Sequence, residues 1–405
     1  MNTITNQFNY DLNAIGMYIF GGSQSIGHMN VGWNIDTILE MTEDMMENNA
    51  YHFTKNYPSI NMLKPSEWSQ NDFLDTLKEK QYSLLYANNP CSGLSSINKN
   101  ANINQPVNNK FFEVFDVINH IEPKTFLIEN APTTVTIGTP ILQKMTQLLG
   151  SKYKFTIIRD MAGNHGVAMK RMRTFIIGWK KDAFNNKIPL INMNIEPKKT
   201  MMDVIGTIDE NTLNATDDNF TLFDNIKELY PLIEYNSTIL RTCCKYYDEI
   251  KDKLNKNQKT AVHTMMEKEK NNGRSWDKSP YKPGLDKQSP SLTSLTRLIH
   301  PIENRNLYIR EYARIMGYPD DFKFYPDECK CPTNQCIAQG VPVNFIKYIS
   351  KEIKRCLEND FEYIKDETID VVYQHHIQKK YYKFTFEEFN LLDKLNDVNE
   401  NYIKL

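Results

Sequence analysis

From Gly16 to about Trp179, short apolar runs alternate with amphipathic stretches, the pattern of β-α units wound around a parallel sheet. The runs MYIF (17–20), DTILEM (36–41), YSLLYA (82–87), TFLIEN (125–130), KFTIIRD (154–160) and TFIIGW (174–179) are predicted strands. Between them the spacing predicts helices over 42–56, where Thr42 precedes an acidic first turn, over 111–121, and over 139–150, which stops at Gly150. Beyond Lys181 the periodicity weakens and Lys, Asp, Asn and Thr dominate to about residue 300, so a second domain begins there. An apolar-periodic helix returns over 337–356, and YYKFTFEEFNLLDKL (381–395) has the amphipathic pattern of a helix that docks. No repeat of 20–50 residues is visible, and the one biased stretch is SSINKNANINQPVNN at 95–109.

Length adds that 405 residues exceed one small core, so two domains are expected. With 40% hydrophobic and 24% charged residues the chain should fold. Lys and Arg number 48 against 50 acids, which excludes a globally basic nucleic-acid coat and leaves room for a local basic face. That face is predicted in 251–300, where eleven basic residues stand against five acids, a net of +6. Residues 357–405 carry eleven acids and six lysines and are acidic. No apolar run reaches 18 residues and the start lacks a signal-peptide build, so a cytoplasmic protein without membrane association is expected. Seven cysteines, an odd and sparse number, predict no structural disulfides.

The candidate chemistry gathers at predicted strand ends. FGGSQSIG (20–27) is a small-residue turn between a strand and a helix, where backbone can approach a nucleotide-like ligand. About twenty residues on, Glu40 could accept two ribose hydroxyls and Met41 could pack on an adenine. NNPCSGLSS places Cys91 at the same edge, ahead of a loop able to move, and an accessible thiolate is a nucleophile. TFLIEN puts Glu129 and Asn130 at the end of the next strand, and KRMRTFIIG brings Arg171 and Arg173 onto one face. Each alone has a plainer reading: a turn, a buried thiol, a helix cap, solvated arginines.

Taken in order, these segments resemble the DNA (cytosine-5) methyltransferases. FGG (20–22) is similar to their Phe-x-Gly start, Glu40 to their ribose-binding acid, Pro90-Cys91 to their Pro-Cys and Glu129-Asn130 to their Glu-Asn-Val. GVAMKRMR (166–173) resembles their Gly-Val-Pro-Gln-x-Arg-x-Arg, RNLYIREYARIMGYPDDF (305–322) their Arg-Glu-x-Ala-Arg segment, and QGVPV (339–343) their closing Gly-Asn-x-Val-Pro. The departures are Gln24 for a second glycine, Ser92 for Gln, Ala131 for Val, Ala168-Met169 for Pro-Gln and Ala338-Gln339 for Gly-Asn. None touches the nucleophile, the acid or the arginine pair.

The resemblance implies an α/β, Rossmann-like, doubly wound and mostly parallel sheet of the class I methyltransferase kind. The catalytic domain would be 1–182 plus 335–356, a smaller target-recognition domain 183–334, and an acidic C-terminal extension 357–405. It implies S-adenosyl-L-methionine as cofactor, held by Phe20, Gly22, Gln24, Glu40, Met41, Asn88, Pro90, Gly340 and Val341, with Asp72 a candidate by spacing only. The substrate implied is double-stranded DNA, whose cytosine is flipped and attacked at C6 by Cys91 while Glu129 acts at N3 and Arg173 and Arg171 hold the base. Ser95, Lys251, Lys253, Arg274, Lys278 and Lys282 are the expected DNA contacts. A monomer is expected, with a cognate restriction nuclease as candidate partner. A tRNA methyltransferase and a catalytically silent DNA-binding paralogue are the alternatives; the Cys-Phe-Thr signature of the tRNA branch is absent. No metal is expected: CKCPTNQC (329–336) offers three thiols without an obvious fourth ligand, zinc being the lesser reading beside reduced loop cysteines.

Overall fold

The structure, a computed structural model, describes residues 12–395 apart from 97, 193–194, 210, 216–223, 272–278, 294–295 and 376–379. It divides into two compact units: unit 1 is Met1–Ala162, Met172–Ile195 and Val343–Leu405, and unit 2 is Gly163–Arg171 and Glu196–Pro342.

Among the described residues of unit 1, nine strands form one sheet: β1 (Asn13–Met17), β2 (Asn34–Leu39), β3 (Asn61–Leu63), β4 (Leu84–Asn88), β5 (Thr125–Asn130), β6 (Tyr153–Met161), β7 (Met172–Lys180), β8 (Val371–His375) and β9 (Lys380–Phe384). Their order is β9-β8-β6-β7-β5-β4-β1-β2-β3. Only β7, antiparallel to β5 and β6, and β9, antiparallel to β8, break the parallel arrangement. The chain winds outward in both directions from β1 and β4, so the switch point of the sheet lies between them, where open α/β sheets bind ligands.

Unit 1 carries helices α1 (Ser23–Met29), α2 (Tyr51–Asn56), α3 (Asn71–Glu79), α4 (Asn109–Ile121), α5 (Thr139–Leu149), α10 (Val343–Leu357) and α11 (Phe386–Asn390). Every residue of β4 and β5 is buried, as a parallel strand covered on both faces requires. On one face α3, α4 and α5 place Leu77, Phe111, Phe115 and Leu142 against Leu85, Ala87, Ile128 and Ile176. Neighbouring residues of a strand point to opposite faces, so Phe175 reaches the other side and meets the Phe345 ring of α10 at 4.9 Å. There α1 packs on α10 so closely that a Cβ at Gly27 would lie 2.6 Å from Ile346, and His28 Nδ1 stands 2.9 Å from Ser350 Oγ.

Several elements differ from the sequence expectation. The apolar run MYIF is not a strand: β1 ends at Met17, and Tyr18 and Phe20 adopt left-handed φ values of 58° and 49° in a buried turn that keeps its side chains apolar. The helix expected over 42–56 survives only as a 3-10 turn at Met45–Glu47 and as α2, because the Asn48 amide binds the Asp44 carbonyl and carboxylate and competes with the helical ladder. The helix expected over 337–356 is two, α9 (Thr333–Gln339) and α10, broken where Pro342 follows the extended Gly340. The docking helix expected over 381–395 begins instead as the end of strand β9, and only the five residues of α11 are helical.

The extension read as starting at 357 is thus part of the sheet. Strand β8 pairs with β6, buried Lys154 donates to the Glu367 and Ile369 carbonyls at 2.7 and 2.8 Å, and Gln143 donates to three carbonyls around α11. A chain ended after Leu357 should therefore fail to fold. It would lose Val371, Val372, Tyr373, Phe384, Phe389 and Leu395, all buried; at about 1.5–3 kcal/mol per buried side chain this matches the ~5–15 kcal/mol that holds a whole domain. The check is the yield of soluble protein with a cooperative melt, and a folded truncated chain would refute it.

Unit 2 holds α6 (Ile239–Lys245), α7 (Lys256–Lys270), α8 (Ile309–Met316) and α9, with strand pairs of only two residues. Ile226, Tyr230, Ile239, Cys243, Leu254 and Val262 make its core, so Cys243 is a packing residue. The Arg-Glu-x-Ala-Arg segment serves as internal scaffold. Buried Arg310 donates to the carbonyls of Leu213, Pro319 and Phe322, and Arg305 clasps Glu311 through two bonds of 2.8 and 2.9 Å. Residues 163–171 and 335–342 fall in unit 2 and 183–195 in unit 1, shifting the boundaries expected from sequence.

Candidate active site

At the carboxyl end of β1 the chain makes a turn that only tertiary contacts can hold, since left-handed φ is costly for Tyr and Phe. The Tyr18 N–H donates to Leu39 O at 3.0 Å and its hydroxyl to Glu113 Oε2 at 2.8 Å. Gly22 follows at φ 81°, and a Cβ there would lie 2.1 Å from the Phe53 ring, so glycine is required. Helix α1 starts next, with Ser23 and Gln24 buried in its first turn.

Glu40 stands just beyond β2. Its backbone is fixed by Leu63 O at 2.8 Å and by the Trp68 indole, which donates to Glu40 O at 2.9 Å. The carboxyl is fully buried, and the Met41 N–H donates to Oε2 at 3.3 Å. Burial pushes its pKa up to about 8, against smaller opposing pulls from the Met41 and Ile19 N–H groups. Glu40 Oε1, Ser23 Oγ, both amide atoms of Gln24 and Asn88 Nδ2 are buried without a hydrogen-bond partner. Adjacent strands β1, β2 and β4 thus present unpaired polar groups at one edge, a set that a polar ligand would satisfy. Phe20 is half-buried in the turn, Met41 packs on the core cluster and Pro90 is buried. Asp72 is exposed in the first turn of α3, the place of a helix-terminus carboxylate.

Sequence reasoning missed Lys110 and Glu113. One turn apart on α4, they pair at 2.7 Å, and Lys110 Nζ also reaches Met41 O at 3.4 Å while Glu113 takes the Tyr18 hydroxyl. Their i,i+3 spacing was visible, but nothing in it told which turn they would brace.

The neighbouring strands carry the reactive groups. In the β4–β5 register Asn88 lies opposite Glu129. Three residues on, half-buried Cys91 begins a turn in which its carbonyl accepts from the Leu94 and Ser95 N–H groups at 3.1 and 2.8 Å. Asn130 ties this loop to β5, its amide donating to Asn89 O at 3.1 Å and Pro90 O at 3.5 Å while its own carbonyl takes the Ala131 N–H. Thr133 adds a bond to Leu94 O. Glu129 is nearly buried, and Arg173 at the start of β7 places Nε 2.6 Å from its Oε1. This pair is short, desolvated and charge-assisted.

Arg171 does not share that role. It lies between the two-residue strand 169–170 and β7, in unit 2, where its guanidinium donates to Leu292 O and, at 2.7 Å, to Gly340 O. The two arginines expected on one face part because the strand breaks at Arg171; Arg173 orients the acid and Arg171 braces backbone. Gly340 and Val341 also belong to unit 2, Val341 fully buried.

Of the expected DNA contacts, Arg274 and Lys278 lie outside the described residues. Lys251 and Lys253 are exposed and paired with Asp248 at 3.5 Å and Glu228 at 3.0 Å. Lys282 is mostly buried, its Nζ 5.6 Å from the Tyr235 ring, and burial lowers its pKa, so it reads as packing and not as a groove contact. Ser95 stays in the Cys91 turn.

A family model described as C-5 cytosine-specific DNA methylase matches residues 21–355. The type II methyltransferase M.FnuDI of Fusobacterium nucleatum is 26% identical over 295 residues, covering 69% of this chain and 78% of that protein. M.DdeI of Desulfomicrobium norvegicum is 21% identical over 429 residues, covering 97% and 99%. Among solved structures, a putative DNA modification methyltransferase encoded within a prophage of E. coli superposes with a TM-score of 0.57 at 18% identity, covering 85% of this chain and 99% of that one. Among the described residues no helix is long and apolar enough to cross a membrane.

Proposed function

The chain belongs to the C-5 cytosine-specific DNA methylases, and from that premise we propose that this methyltransferase acts on C5 of a cytosine flipped out of duplex DNA. One observation carries the reading: Cys91 on its braced turn, the Glu129–Arg173 pair and the unpaired polar groups around Glu40 line up on adjacent strands at one sheet edge. S-adenosylmethionine fits those groups. Glu40 would accept the ribose hydroxyls, Gln24 and Asn88 would meet polar atoms of the cofactor, and Met41 would lie on the adenine. When bound, it supplies an electrophilic methyl group.

The chain's own residues would do the rest. C5 of cytosine is too weakly nucleophilic alone, so the Cys91 thiol gives its proton to the Glu129 carboxylate, its sulfur adds to C6, and Glu129 passes the proton on to N3, which makes C5 an enamine carbon able to take the methyl. Loss of the C5 proton to solvent, with the N3 proton returned through Glu129 to the departing sulfur, then expels Cys91. Arg173 holds the Glu129 carboxyl in one orientation, and Asn130 keeps the Pro90-Cys91 backbone in place. The names of the type II relatives support placing the chain in a restriction-modification system; a monomer beside a cognate nuclease is the assembly proposed with it. Incubation with labelled cofactor and either duplex DNA or tRNA tests the substrate, and bisulfite sequencing of methylated DNA gives the site. Label in tRNA alone would overturn the reading in favour of the RNA-acting branch, and label in neither would favour a silent DNA-binding paralogue.

Two predictions belong here. A carboxylate accepts ribose hydroxyls better than a carboxylic acid does, and Glu40 holds its proton up to about pH 8. Cofactor binding below that pH must therefore release a proton, so affinity should climb by up to about tenfold per pH unit and level off near 8. Titration calorimetry from pH 6 to 9 reads this; Glu40→Gln should bind weakly with a flat profile, and an equally steep profile in that variant would refute the assignment.

Exposed lysines of unit 2 are assigned to phosphates. Replacing Lys251 and Lys253 together by Ala should reduce the slope of log K against log salt by about 0.9 for each phosphate no longer neutralised, leaving cofactor binding unchanged. An unaltered slope would show that their partners Asp248 and Glu228 keep them from the DNA.

A further inference from the structure

The segment CKCPTNQC (329–336) holds three of the seven cysteines and has no part in the reaction above. None of the seven cysteines is in a disulfide. Cys331 and Cys336 are buried and Cys329 is half-buried. The chain turns back on itself here: the Cys329 N–H donates to Tyr325 O at 3.1 Å, and the Cys336 N–H, in α9, donates to Pro332 O at 3.1 Å. The sulfurs of Cys329 and Cys336 come within 4.8 Å of each other, and the Cys336 thiol is in hydrogen-bonding contact with both other thiols.

Packing alone does not call for this. A buried loop is filled by one or two small apolar side chains, whereas here the Cys336 thiol touches two further thiols, putting weak donors and acceptors where none is needed. In a tetrahedral zinc–thiolate site with bonds of about 2.3 Å the sulfurs stand roughly 3.8 Å apart, so small side-chain rotations would bring these into position. The sequence offers no obvious fourth ligand, so a zinc ion here would complete its tetrahedron with water, as open zinc sites with three protein ligands do. Thiolates favour zinc over hard cations such as magnesium or calcium.

We propose that Cys329, Cys331 and Cys336 bind one zinc ion as thiolates, fastening the turn before α9 to that helix. Each thiol gives its proton to solvent as its Zn–S bond forms, so three protons leave for one Zn²⁺ and the site carries a net charge of −1, with Lys330 between two of the ligands.

The test is zinc content of the full chain, expressed in zinc-supplemented medium and purified under reductant without chelator. Close to one zinc per chain is expected. Because Cys331 and Cys336 are buried, the half-exposed Cys329→Ser is the variant least prone to misfold, and it should retain less zinc. Titrating zinc-free wild type with Cd²⁺ should give a thiolate-to-metal charge-transfer band that saturates at one equivalent, and zinc should raise the melting temperature. Zinc-free wild type with no band at one equivalent overturns the proposal. So does equal zinc in a variant with all three cysteines changed to serine, or a disulfide among them in the reduced preparation.

Discussion

Cys91→Ser should lower methyl transfer by roughly 10⁴-fold or more, the scale of losing a covalent nucleophile, while DNA and cofactor affinities stay within a few fold. Serine has nearly the same size, so the turn capped by the Leu94 and Ser95 N–H groups should persist, but a neutral hydroxyl attacks C6 far more slowly than a thiolate. A duplex with 5-fluorocytosine at the target separates chemistry from binding. Fluorine cannot leave as a proton does, so after one methyl transfer wild-type protein should remain covalently attached through denaturation, and Cys91→Ser should not. Near-normal turnover by the variant, or no trapped wild-type complex, would sink the assignment.

Glu129→Gln should cost about 10²–10⁴ in turnover, the usual worth of a positioned acid, because the amide can still hydrogen-bond N3 but cannot protonate it. Arg173→Ala should cost nearly as much, and it should also destabilise the fold. It strands a nearly buried carboxylate whose charge Arg173 meets at 2.6 Å, and breaking such a pair costs about 3–5 kcal/mol. Since the two act as a unit, the double variant Glu129→Gln/Arg173→Ala should lose little more activity than either single one, and it should melt above Arg173→Ala alone. Fully multiplicative losses in turnover would mean that Arg173 acts independently of Glu129.

Much of this edge was legible because its determinants are local. TFLIEN is strand β5 from end to end, and Glu129 and Asn130 fall at its exit as the apolar run ends. Glu40 likewise follows directly on the apolar run of β2. What escaped depends on contacts between distant segments. MYIF has the composition of a strand, and only the buried hydroxyl of Tyr18 on Glu113 shows why an apolar segment bends there. Arg171 and Arg173 look alike in sequence, and the carbonyls of Leu292 and Gly340 that claim the first lie more than a hundred residues away. Lys282 looked like an exposed cation because its neighbours are polar, yet it is packed beside Tyr235. The acidic excess of 357–405 hid a buried hairpin, since alternation lets a strand be apolar inside and charged outside.

That hairpin bears on the order in which the protein can be made. Val371 pairs with Phe155, so a ribosome must add over two hundred residues after β6 before its free edge is covered. Through that interval Tyr153–Met161, apolar at Phe155, Ile157 and Ile158, offers unpaired backbone to any other nascent chain. Unit 2, inserted between, has its own core and can form meanwhile. The nascent methyltransferase is thus an open-edged sheet for most of its synthesis, and yield should depend on slow, cool expression and on chaperone supply more than on the stability of the finished fold.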